Sequence, residues 1–148
     1  MPLNILKSKS SRLYDLEHSK YEGRESVTDI TIPGLGKWND VLHLSPIHPA
    51  ELKRAFVEAG GDPDNFPTEW YQIPVQLIRP ESTMLMRDDA FLKYDPGTLA
   101  DEAHIPEETQ AHYQKRISAG ERPFLFEHAS HVLFKGTVPL SECAKIEV

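Results

Sequence analysis

Seven histidines, one cysteine and scattered carboxylates are the residues of this 148-residue chain whose types could do chemistry. The closest histidine pair is His128-Ala129-Ser130-His131. In an extended segment, residues three apart point to opposite faces, so both rings reach one ion only from a turn or a helix. No His-Glu-x-x-His element, cysteine pair or carboxylate-rich loop accompanies them, and no metal site is expected. Cys143 lies in an apolar closing segment, where a buried, inert thiol is the ordinary state. No Gly-x-Ser-x-Gly elbow is present, and Gly34-x-Gly36 lacks the third glycine and following helix of a phosphate-cradling loop. A triad assembled in space stays open, because its members need not be neighbours in sequence.

The remaining signal is distributed. The order strand, His43-x-Ser45, amphipathic helix and Gly60-Gly61 resembles the opening of the ADP-ribosyltransferase fold. The stretch from Ile73 to Met86, IPVQLIRPESTMLM, resembles a segment of the DarT-type DNA ADP-ribosyltransferase toxins, with one extra residue in the alignment. The tail from Val132 to Ile146 is similar in spacing to the end of that family. RES-domain toxins, which also act on NAD, offer a competing match through Arg12-Leu13-Tyr14 and Gly36-Lys37-Trp38-Asn39 followed by Leu42-His43-Leu44-Ser45.

Both resemblances imply NAD as substrate and a dinucleotide cleft. They imply that His43 and Ser45 contact the nicotinamide-side ribose or amide, and that Arg79 grips the pyrophosphate with its planar two-pronged head. Tyr71, with Trp38, Trp70 and Phe66, is read as cleft wall or base-stacking platform. Cleaving the nicotinamide–ribose bond builds positive charge on the sugar, which a carboxylate beside that carbon stabilises. His131 stands where the DarT-type family has its catalytic glutamate, and an imidazole supplies no fixed negative charge. Glu127, four residues earlier, is the nearby substitute. Each of these residues also has a purely structural reading: His43 as a strand-end histidine, Arg79 as a solvated charge, Glu127 as a surface carboxylate.

The elements that must position these groups are short. Twelve prolines break the chain often and favour strands with brief connections. Val27, Ile30 and Ile32 read as a strand ending at Pro33-Gly34-Leu35-Gly36, and Asp40–Ser45 as a second. Pro49 opens a helix whose apolar residues Leu52, Ala55, Phe56 and Ala59 recur at helical spacing, stopped by Gly60-Gly61. Residues 62–70 read as an ordered loop, and Tyr71–Ile78 as a β-prone run interrupted by Pro74. Met84–Met86 and Phe91–Tyr94 are further strands. A second helix runs from Pro106 to Gly120 on the surface, with a thin apolar face of Ala111, Tyr113 and Ile117. Phe124–Phe126, Val132–Phe134 and Lys145–Val148 complete the strand list. A single α+β domain over 1–148 is expected, mostly antiparallel sheet with two or three helices, and residues 1–25 as an arm.

Net charge is −7, from 16 basic against 23 acidic residues, and residues 1–47 hold six of each, so the acidic excess follows His48. This argues against nonspecific nucleic-acid binding through a generally basic surface. No apolar run is long enough to span a bilayer and no secretory leader is apparent, so a cytoplasmic protein is expected. Two functions follow. One is an ADP-ribosyltransferase-like enzyme that cleaves NAD by hydrolysis, by phosphorolysis or by passing ADP-ribose to a nucleic acid or protein acceptor. The other is a non-enzymatic acidic interaction or immunity protein, or an inactive relative of that fold, steered to a basic protein partner such as the other half of a toxin–antitoxin pair.

Overall fold

A computed structural model of the chain describes Pro2 and residues 24–148. The expected arm over 1–25, including the Arg12-Leu13-Tyr14 element, lies outside these residues except for Pro2, Arg24 and Glu25.

The architecture is α+β. A four-stranded antiparallel sheet in the order β3-β7-β5-β6 joins Leu42–Leu44 (β3), His131–Phe134 (β7), Thr83–Arg87 (β5) and Ala90–Lys93 (β6). Two antiparallel ribbons accompany it: Thr31–Ile32 (β1) with Gly36–Lys37 (β2), and Glu69–Gln72 (β4) with Ala144–Glu147 (β8). Among the described residues the α-helices are Pro49–Glu58 (α1) and Glu107–Ser118 (α2).

Register decides which side chains share a face of the main sheet. His43 pairs with Leu133 and Leu133 with Met84, while Met86 pairs with His131. Cross-strand partners lie on one face and successive residues alternate. One face therefore carries His43, Leu133, His131, Met84 and Met86. It packs beneath Ile32, Leu35 and Val41 of the N-terminal hairpin region. The opposite face carries Leu42, Val132, Phe134 and Leu85, packed with Ile78 and Tyr94.

A third core joins the helices to the β4–β8 ribbon through Leu52, Phe56, Phe66 and Tyr113, with Trp70 and Phe126 against it. Both helices end in the same way. Gly60 N–H bonds Val57 O and Gly61 N–H bonds Phe56 O after α1; Gly120 and Glu121 bond Ile117 O and Arg116 O after α2. This 6→1 plus 5→2 pattern needs a left-handed residue, which Gly60 supplies at φ +96°. On α2 the buried face is Thr109 and Tyr113, whereas Ala111 is exposed.

Several expected strands take other forms. Residues 25–29 close into a 3-10 turn, with Val27 N–H on Arg24 O and Ile30 N–H on Val27 O, leaving only Thr31–Ile32 extended. Val27 and Ile30, three apart, suit that turn's period as well as a strand's neighbourhood. The Tyr71–Ile78 run ends as a strand at Gln72, and Val75–Leu77 form a 3-10 turn after Pro74. Phe124–Phe126 are not a strand but part of a turn-rich loop whose backbone groups bond to α2. Among the described residues no helix is long and apolar enough to cross a membrane.

Candidate functional site

Strand β3 ends, β5 ends and β7 begins at the same edge of the main sheet, because each neighbouring pair is antiparallel. That edge gathers His43, Ser45, His131 and, through the loop before β7, Glu127 and His128. Trp38 is the hub, its ring 4.3 Å from that of His43 and 6.2 Å from that of His131. It is positioned by a 3-10 turn at Trp38–Asp40, where Asp40 Oδ2 accepts the Lys37 N–H at 2.7 Å. Gly36 sits against this turn at φ +118°, where an added Cβ would lie 2.6 Å from Asp40 Oδ2.

Each imidazole is tied to a backbone carbonyl. His43 Nε2 hydrogen-bonds the Trp38 carbonyl at 2.8 Å, and His131 Nε2 the Phe126 carbonyl at 3.1 Å. Since a carbonyl only accepts, both rings present Nε2–H. Part of the His43 residue is exposed, yet packing strips water from its ring and pushes its pKa down to about 4, against the pull of the Trp38 carbonyl and with a small contribution from His131. Burial likewise lowers His131, opposed by the Phe126 carbonyl and the Glu127 charge. Both are neutral at pH 7. Ser45 Oγ accepts the Ile47 N–H at 3.1 Å in a local turn.

Glu127 is half-buried on the loop, and its charge acts on both His131 and His112. The loop is held by α2. Thr109 Oγ1 donates to Glu127 O at 2.7 Å, the Tyr113 hydroxyl donates to Leu125 O, and Arg116 donates to Arg122 O. Beside it, Asp88 in the β5–β6 turn (φ +49°) and His128 (φ +62°) approach to 3.7 Å. His128 and His131 thus have separate partners, and no group of three or more ligand-type side chains among the described residues could hold a metal ion.

A polar network supports this edge from behind. The Glu102 carboxylate, 6% exposed, takes two bonds from Arg87 and one from Ser130 Oγ. Sequence reasoning missed it, because Arg87, Glu102 and Ser130 are separated along the chain and no motif joins them.

Arg79 lies elsewhere. Its guanidinium sits 5.9 Å over the Phe134 ring, on the face opposite His43 and at the far end of β7 from His131, roughly 10 Å away along the strand. It forms a long ion pair with the Glu81 carboxylate, at 4.0 Å. Tyr71 is 47% exposed on the outer side of the β4–β8 ribbon, across from Lys145. Cys143 is half-buried, with Sγ 3.5 Å from Pro139 O. A surface groove of about 560 Å³ opens between α1 and the chain end, lined by residues including His48, Lys53, Arg54 and Glu147. None of the residues expected to hold NAD lines it. Compared with protein-family models, curated proteins and solved structures, the chain matches none.

Proposed function

We propose that this protein works by binding a macromolecular partner through an acidic surface rather than by cleaving NAD, as an interaction or immunity protein. The observation that carries this reading is the division made by the main sheet: Arg79 packs on the face of Phe134, whereas His43 and His131 lie on the opposite face, with Glu127 in the loop beside His131. A dinucleotide needs its pyrophosphate grip and its sugar-side contacts in one cleft. Three of the expected contact groups are moreover engaged within the fold, since His43 Nε2, His131 Nε2 and Ser45 Oγ each hold a backbone group.

Net charge supports the choice of partner. Asp62, Asp64, Asp89, Asp101, Glu107 and Glu108 are exposed and make no ion pair with any described residue. With a net charge of −7, this uncompensated negative charge favours a basic protein and makes association with it faster at low salt.

The NAD-cleaving reading keeps one specific support, the Glu127 carboxylate beside His131 at the sheet edge. Nicotinamide release distinguishes the two. The purified chain with NAD is expected to release none above the protein-free control. Turnover by the wild type that is lost in Glu127→Gln would establish the enzyme and end the binding-only proposal.

A further inference from the structure

We propose that His112 is a pH-sensitive latch: it holds the loop that precedes β7 in place while neutral and releases the Phe124 end of that loop when protonated. The geometry carries the inference. The Phe124 N–H points at His112 Nε2, 3.0 Å away, and the two rings stack at 5.8 Å between centroids with 18° between their planes. A nitrogen that accepts an N–H must carry a lone pair, so the bond requires a neutral imidazole protonated at Nδ1. Protonation puts a second N–H where the acceptor was, and the two donors face each other.

The loop's other fastenings do not titrate in this way. Thr109, Tyr113 and Arg116 donate to the carbonyls of Glu127, Leu125 and Arg122. His131 donates to Phe126 O and keeps that bond when protonated. Of these bonds from α2 and β7 only the His112 one requires a neutral base, and it holds the start of the segment that presents Glu127 and His128.

The charges around the ring set the balance. Arg116 and Lys115 on α2 and His128 on the loop oppose an imidazolium, Glu127 favours it, and the Arg24 guanidinium lies 4.3 Å above the same Phe124 ring. Burial is the largest influence and lowers the pKa. A base whose pKa is depressed in the latched state favours that state fully above its ordinary value of 6.5 and progressively less as pH falls toward the latched value. One proton limits the opening equilibrium to a rise of about tenfold per pH unit in that window.

The test uses nitrogen-15 NMR of the full chain. Above neutrality the His112 ring is expected as the Nδ1–H tautomer, the opposite of that favoured by free histidine. As pH is lowered, the Phe124 amide proton is expected to shift in step with His112, and in His112→Gln it is expected to stay flat with pH while the remaining spectrum is retained. An Nε2–H tautomer at His112, or a Phe124 amide that titrates identically in His112→Gln, would overturn the latch.

Discussion

Two buried tyrosines are expected to respond in opposite directions to the loss of one oxygen. Tyr113 is fully buried, and its hydroxyl donates to Leu125 O, tying α2 to the loop ahead of β7. Tyr94 is 3% exposed, and its hydroxyl is buried without a hydrogen-bond partner among the described residues. Removing a hydroxyl that makes a hydrogen bond costs the net value of the bond and leaves its acceptor wanting. For Tyr113→Phe this amounts to about 1 to 1.5 kcal/mol, because half-buried Leu125 lets water recover part of the loss. For Tyr94→Phe the desolvation penalty of an unpaired hydroxyl disappears, giving between no change and about 1 kcal/mol of added stability. Both changes preserve the ring and leave no large cavity, so the comparison isolates the oxygen. Urea unfolding followed by circular dichroism, with unchanged m values, reads both; in a chain of this length each kcal/mol moves the melting temperature by roughly 2–4 °C. A Tyr94→Phe variant destabilised as much as Tyr113→Phe would refute the assignment of partners.

Further expectations follow from the polar groups and one turn. Arg87 first, then Ser130, hold the Glu102 carboxyl below its ordinary 4.5 against the opposing effect of burial. Its contribution is therefore present above 4.5 and lost as pH falls through the folded value, so wild type should lose stability in acid more steeply than Glu102→Gln in denaturant titrations over that range. His43 should titrate near 4 by NMR rather than near 6.5, and its stabilising effect should be complete above 6.5 and fade toward 4; a midpoint at the ordinary value would mean that its ring is fully solvated. Gly36→Ala, placed at φ +118° and 2.6 Å from Asp40 Oδ2, is expected to lower stability by about 1–3 kcal/mol and to alter Trp38 fluorescence.

What the sequence disclosed follows the strength of local signals. Helix α1 was legible because Pro49, a 3.6-residue apolar stripe and Gly60-Gly61 all favour the same element. The strand at Val132–Phe134 was legible as three consecutive apolar residues, which the sheet buries on both faces. Phe124–Phe126 carry a similar signal and fold differently, because Thr109, His112 and Tyr113 capture the backbone of that loop, and those captors are donors and acceptors on a helix rather than part of the segment's own pattern. The site was partly legible. His43 and His131 meet around Trp38 because β3 and β7 are neighbours, a pairing that no local spacing encodes. Arg79 stands in the turn before β5, and its guanidinium packs on Phe134, on the sheet face opposite that of Leu133, a placement that no local spacing encodes.

The division of the sheet can be tested directly by proton–proton Overhauser contacts in solution. Cross-peaks are predicted between the Trp38 indole and the His43 ring, and between the Arg79 side chain and the Phe134 ring, with none joining Arg79 to His43. A contact between Arg79 and either His43 or His131 would contradict this account and bring the dinucleotide cleft back together.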